Sequence, residues 1–413
     1  MSEEEWTKDE ASSRGRGVRS AALWLLIIIY LAFISLGLPD SLLGSAWPRM
    51  QQDIKASFGS AGIVSMIVSL GTILSSLMSG RAIQRFGTGR ITFISCCLTA
   101  AVLFGFSVSN SLRWLVVLAV PLGLGAGAVD SALNHYVAEN YKARHMNWLH
   151  SFWGVGATIG PAILSYSLAG YGSWRMGYAV IAAIQSVIAS ILLISLPLWG
   201  RVSSQRSRNE MYHDQIASDK PQQKNVLRIN GVKQTFLVFL LYCGVEATVG
   251  LWGASYLASA RGITAEMAAG CISIYYGGIT VGRLVTGFVT MKVNNRTIIL
   301  FGQLLAVIGV IVLMLPSSFI FYALGFVMIG LGFAPIYPAL IHETPSRFGS
   351  ENSARLIGYQ MAFAYTGTTF LPPMFGAIAE QTGMVPFPFF VLAYILLMLF
   401  GAEKVNRVLN LAR

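Results

Sequence analysis

Charged side chains are scarce in this sequence. Only 11% of its 413 residues are Asp, Glu, Lys or Arg, while 54% are hydrophobic. A water-soluble domain carries about 25% charged residues, so this chain lacks the polar surface to face water on every side. Alternating apolar segments of about ten residues, the mark of a transmembrane β-barrel, are missing too. The four cysteines, Cys96, Cys97, Cys243 and Cys271, lie in apolar stretches without metal-ligand or CxxC spacing. They read as small packing residues. No GxSxG, HExxH, Walker loop or paired Cys/His cluster occurs, so an enzyme or an ATP-driven pump has no visible chemistry. The glycine runs GLGAGA (123–128) and GVGATIG (154–160) follow no strand and sit inside apolar stretches. Helix packing explains them better than dinucleotide binding.

What the chain does have is apolar length. Stretches of about 20 residues, each able to cross a hydrocarbon core of about 30 Å, recur near 21–47, 60–80, 90–108, 113–137, 146–169 and 175–199. They continue near 233–259, 266–290, 297–315, 318–341, 355–379 and 386–403. Twelve transmembrane helices are expected, numbered here as spans 1 to 12. The N-terminal segment MSEEEWTKDEASSRGRGVRS runs into span 1 without a small-residue cleavage site, which predicts a retained first helix. With that end inside, the inner segments hold 23 Lys and Arg and the outer loops five. Both termini are therefore expected in the cytoplasm, in a cell (inner) membrane. The net charge of +11 then reports topology and attraction to anionic lipid, not nucleic acid.

The long polar stretch at 201–225 divides six spans from six. The expected units are an N-terminal tail (1–20), a six-helix bundle (21–200), a cytoplasmic linker (201–231), a second bundle (232–408) and a C-terminal tail (409–413). The bundles repeat one another. A shift of 207 carries Gly71 and Gly80 onto Gly278 and Gly287, Gly123-Leu124-Gly125 onto Gly330-Leu331-Gly332, and His135 onto His342. Shifts of 211 and 206 carry Gly156, Thr158 and Pro161 onto Gly367, Thr369 and Pro372, and Asp40 and Gly44 onto Glu246 and Gly250. Parallel six-helix repeats with a site at their interface suit alternating access.

Over nearly its full length the chain resembles the major facilitator superfamily. The loop Gly80-Arg81-Ala82-Ile83-Gln84-Arg85-Phe86-Gly87-Thr88-Gly89-Arg90 is similar to that family's signature loop, and Gly282-Arg283, Gly287 and Arg296 echo it in the second half. Gln84 replaces the usual aspartate, so the family's cytoplasmic charge relay is not carried over. Gly37-Leu38-Pro39-Asp40, Trp47-Pro48, Asp130 and Asn147-Trp148-Leu149-His150 resemble the fucose/galactose/glucose:proton symporter branch. That resemblance implies proton handling by acids in spans 1 and 4 and a sugar-like cargo. It also implies an all-α membrane fold of two pseudo-symmetric bundles.

Only three acids lie well inside the spans: Asp40, Asp130 and Glu246. A mid-membrane carboxylate costs about 2.5–3.5 kcal/mol on insertion scales and escapes that cost by taking up a proton. These three are the expected proton-coupling residues. Candidate solute contacts are Asn134, four residues from Asp130, and Asn147, His150 and Ser151 at the start of a polar stripe that continues through Gly154, Thr158 and Pro161. Tyr242 on the Glu246 face, Gln360, and the aromatics Trp47, Trp252, Tyr276 and Tyr337 complete that set, with Trp153 and Tyr275 as further stacking surfaces. Arg85, Arg90, Arg283, His135 and His342 are expected at gates. The small-and-hydroxyl stripes of spans 2 and 5 suit either cavity lining or close helix packing.

The function expected is secondary active transport of a small polar solute such as a monosaccharide. The proton would be the coupling ion, with no cofactor or metal, and the protein a monomer in the lipid bilayer. Proton-driven export of drugs or metabolites is the rival, since Gly154-x-Gly156-x-x-x-Gly160-Pro161 is close to an exporter motif. A non-transporting ligand sensor is a second rival.

Overall fold

The computed structural model describes the backbone of residues 3–210 and 226–410 apart from positions 142, 291 and 317. Side chains are described for 22–199 and 226–409, apart from 138, 142–144, 147, 291, 317, 350, 351 and 354. Among these residues the chain is helical throughout. The first half contains α1 (Glu3–Asp40), α2 (Leu42–Asp53), α3 (Ser60–Phe86), α4 (Thr88–Ser107), α5 (Leu112–Asn140), α6 (Ala143–Tyr171) and α7 (Trp174–Glu210). The second contains α8 (Val232–Arg261), α9 (Ala265–Val289), α10 (Asn295–Met314), α11 (Phe319–Phe333), α12 (Ile336–Phe348), α13 (Ser350–Thr382) and α14 (Phe387–Asn410).

Span 1 is the pair α1–α2, interrupted by a turn at Ser41, and span 10 is the pair α11–α12, interrupted at 334–335. The other ten spans are one helix each. Eleven of the twelve are long and apolar enough to cross a membrane. The exception is α13, which has the length but carries Gln360, Tyr365, three threonines in 366–369 and Pro372-Pro373. It is nonetheless seated between α8 and α3. Part of the expected linker belongs to the second bundle: Val226 and Val232 are buried with Phe236, Phe348 and Leu356. Residues 211–225 lie outside the described residues, as do the side chains of the N-terminal tail and residues 411–413.

The internal repeat is a repeat of contacts as well as of letters. A Cβ added at Gly123 would collide with the Val68 carbonyl oxygen, so α5 rests directly on the backbone of α3. Moved by 207 positions, the same contact recurs: a Cβ at Gly330 would meet the Tyr275 carbonyl, pressing α11 onto α9. Gly156 against the Ile34 carbonyl joins α6 to α1, and its counterpart is Gly367 against the Leu240 carbonyl, joining α13 to α8. Close approach through small residues is how helices associate in lipid, where apolar burial gives no drive.

Prolines supply a second device. A proline leaves the carbonyl four residues earlier without its helical donor. Pro39 frees the Ser35 carbonyl, which accepts from Gln185 Nε2 at 2.5 Å and ties α1 to α7. Pro161 frees the Ala157 carbonyl, which accepts the Ser41 hydroxyl at 2.9 Å and ties α6 to the turn in span 1.

Overpacking costs typically about 1–3 kcal/mol. Gly367→Ala is therefore expected to lower the thermal unfolding midpoint of the detergent-solubilised protein. Gly80→Ala, where nothing lies within 4 Å, is expected to leave it unchanged or raise it slightly.

Candidate functional site

The two bundles meet along α6–α9, α3–α13 and α2–α8, and they enclose a cavity of about 1160 Å³. Its walls run from Asp40, Leu43 and Tyr276 at mid-span down to Thr290, Asn294, Asn295, His342 and Ser346, beside the basic loops. The opposite end is closed by contacts between the halves. Gly59 N–H donates to Glu380 Oε2 at 2.5 Å, and Phe58 stacks on Trp252 with centroids 5.7 Å apart. Ser165 donates to the Glu266 carbonyl at 2.7 Å, Ser273 donates to the Thr158 carbonyl at 2.7 Å, and Gly44 lies directly against the Gly250 carbonyl. The cavity is open on the face that carries the Lys- and Arg-rich loops and shut on the other.

At its centre four side chains from both halves form a chain. Asp40, the last residue of α1, accepts from Trp153 Nε1 on α6 at 2.7 Å. The Arg283 guanidinium on α9 sits over the Trp153 ring, 5.6 Å from its centroid. Arg283 also faces Glu246 of α8 at 3.7 Å. That is a charge contact, too long for a good hydrogen bond, and Arg283 Nε is buried without a partner. The repeat mates Asp40 and Glu246 therefore do enclose one space, one on an indole and the other facing a guanidinium.

Asp130 lines the same cavity from α5. Its Oδ1 accepts from Asn134 Nδ2 at 2.9 Å, and its Oδ2 faces the Tyr365 hydroxyl of α13 across the halves at 3.5 Å. Asn134 thus serves Asp130, also donating to the Asp130 carbonyl at 2.9 Å, and is not itself a wall residue. His150, Ser151, Tyr242, Tyr276 and Tyr337 all line the cavity. Two of them are partly spoken for: Tyr242 donates to the Phe333 carbonyl at 3.1 Å, and the Tyr337 hydroxyl to Met361 Sδ at 3.0 Å. The side chain of Asn147 lies outside the described residues.

Three expected contact residues are placed elsewhere. Trp47 is fully buried and donates to the Phe58 carbonyl at 3.0 Å. Trp252 is fully buried and donates to the Pro372 carbonyl at 2.8 Å, forming part of the closed end. Gln360 is buried and paired with Thr344, its Nε2 donating at 2.9 Å. All three satisfy backbone or side-chain groups inside the bundle, which keeps them from the cavity. Among the expected gate residues, His342 lines the open end with its Nδ1 3.2 Å from Asn295 Nδ2, whereas His135 turns to Glu139 on its own helix at 3.2 Å. Arg283 is a mid-cavity cation rather than a loop gate. Arg85 and Arg90 make no ion pair among the described residues, consistent with Gln84 in place of an acid. The charge network is on the second half: Arg296 binds Glu403 at 2.8 Å, and Arg347 donates to Asn406 at 2.9 Å and pairs with Glu343.

The stripes of spans 2 and 5 do both jobs considered for them. Ser65, Ser69 and Thr72 face the cavity, while Ser76 donates to the Gly127 carbonyl at 3.3 Å. Gly156 and Gly160 pack on α1, and Gly154 packs on Thr280 of α9. Tyr365 was not anticipated, since a lone tyrosine in a threonine-rich span carries no positional signal.

Two repeated bundles around a one-ended cavity with charged residues at its centre define a membrane transport protein rather than an enzyme. A family model described as Major Facilitator Superfamily matches residues 29–228 and 235–403, and the chain belongs to that family. It is 24% identical over 411 residues to Bypass of stop codon protein 6 of Saccharomyces cerevisiae, covering 92% of this chain and 81% of that protein. It is 21% identical over 318 residues to the glucose/mannose transporter GlcP of Bacillus subtilis, covering 75% and 77%. The fold is similar to that of the xylose transporter XylE from E. coli in its inward open conformation, with a TM-score of 0.73 at 13% identity, covering 94% of this chain and 96% of that one.

In a background without the native cysteines, Ser346→Cys at the cavity mouth is expected to react with a membrane-impermeant maleimide from the face bearing the basic loops. Ser45→Cys, at a fully buried position, is expected to resist it from either face.

Proposed function

We propose that the protein is a secondary active transporter that moves a small polar solute of monosaccharide type across the membrane together with protons, by alternating access. The observation that carries this reading is that Asp40 and Asp130 share one cavity that is open at one end and closed at the other. A carboxyl group that is neutral when sealed and ionised when wetted is a proton carrier by its physics. In this reading Asp40 and Asp130 take the proton, and Glu246, facing Arg283, assists them. His150, Ser151 and Tyr276 contact the solute, with Trp153 as an aromatic surface beside it. The names of two similar proteins, a glucose/mannose transporter and a xylose transporter, support a sugar-sized cargo. The partial resemblance to the fucose/galactose/glucose:proton branch supports coupling to protons.

Replacing Asp130 with Asn keeps the bond from position 134 but removes the titrating group. Concentrative uptake into proteoliposomes under a proton gradient is expected to be lost, while exchange of labelled solute at equal concentrations persists. Accumulation by Asp130→Asn equal to that of the unaltered protein refutes the assignment.

A further inference from the structure

Arg283 has more donors than partners. A guanidinium offers five N–H groups in a rigid fork that matches a carboxylate. Glu246 stands 3.7 Å from one terminal nitrogen, beyond hydrogen-bond reach. The face of Trp153 takes the positive charge without using an N–H. Nε is buried with no partner at all, and a buried donor left unmade is costly. The cavity therefore holds a cation that Glu246 and Tyr242 satisfy only in part, and whose fork fits a planar two-oxygen acceptor.

We infer that Arg283 is the anion-binding group of this cavity and that the cargo is a sugar acid, a carboxylate of monosaccharide size, rather than a neutral sugar. The inference rests on the proton-coupled reading above and narrows its substrate class. The acids and histidines lining the same space are Asp40 on α1, Asp130 on α5, His150 on α6, Glu246 on α8, and His342 and Glu343 on α12. An anion seated on Arg283 among Asp40, Asp130 and Glu246 favours their protonated forms, because like charges nearby disfavour ionisation. Anion and proton then bind together, each raising the affinity for the other by linkage. A neutral sugar lacks that Coulombic coupling, and a cation would compete with the proton and exchange against it. The cargo carboxylate also replaces Glu246 as the nearest anion to Arg283. If Glu246 accepts the proton as it is displaced, the cavity's net charge is unchanged: one negative charge enters and one positive charge enters.

The test uses the full-length protein in liposomes with an internal pH dye, and D-glucuronate, D-gluconate and D-glucose as probes. Glucuronate and glucose differ at one carbon, carboxylate against hydroxymethyl. Inward gradients of the acids are expected to drive protons inward. Arg283→Gln is expected to abolish that response, and Arg283→Lys, which keeps the charge without the fork, to restore it only in part. Glu246→Gln removes the competing anion and is expected to lower the Kd for glucuronate while weakening its dependence on pH. This second variant decides the matter if Arg283→Gln does not fold. Proton movement with glucose and none with either acid overturns the inference and leaves the transporter reading standing. So does an Arg283→Gln protein that carries the acids as before. Proton movement with none of the three overturns the inference and the proton-coupled reading together.

Discussion

Inside a hydrocarbon slab a polar atom has two places to go: another protein atom, or water that the fold admits. Everything distinctive in this molecule follows from that restriction. Carbonyls released by Pro39 and Pro161 are taken by Gln185 and Ser41. Hydroxyls along α3 and α6 return to backbone or cross to a neighbour. The groups left over, Asp40, Asp130, Glu246, Arg283 and His150, are gathered around one opening between the bundles. Within each bundle the helices are held together by glycine-to-carbonyl contacts, which need no solvent and no charge, so the polar residues are free to serve the cavity.

Much of this was legible in the sequence. Twelve spans, their division into two sixes and the constant offsets between them all correspond to observed packing, down to Gly123 on Val68 and Gly330 on Tyr275. The three intramembrane acids were legible for a simple reason: a charge in an apolar span is expensive, so its presence demands an explanation. Aromatic residues give no such signal. Trp153 lines the cavity while Trp47 and Trp252 do not, because an indole can be used equally well for packing, and only the rotation of each helix decides between them. Gln360 failed for a related reason, since its partner Thr344 is on another helix. Arg283 echoes a loop motif, which points to a gate. Its location within an apolar span carried the better clue, and the counterion it needed, Glu246, was already visible one helix away.

The halves are symmetric in packing and asymmetric in charge. His135 and His342 are repeat mates, yet one pairs with Glu139 on an exposed helix face and the other lines the mouth of the cavity. The second half carries the Arg296–Glu403 and Arg347–Glu343 pairs, whereas in the first Gln84 stands between Arg81 and Arg85, which make no ion pair among the described residues. The Arg296–Glu403 pair is half exposed and contributes little to stability, whereas Arg347 and Glu343 are largely buried. Neither pair crosses to the first half: one ties α10 to α14 and the other lies along α12, so they brace the second bundle internally.

The turn at Ser41 divides span 1 mechanically. Above it α1 is fastened to α6 and α7 of its own half, through Gly156 and Gln185. Beyond it α2 lies against α8 of the other, while its last residue, Asp53, accepts from Trp174 Nε1 of α7 at 2.9 Å, so the shorter segment bridges the two bundles. Were the two bundles to rock, the bending would concentrate at the junction of these segments, and the residue immediately before it is Asp40. Torque and protonation would then meet at a single joint, which makes span 1 the transmission shaft of the molecule as well as one of its walls.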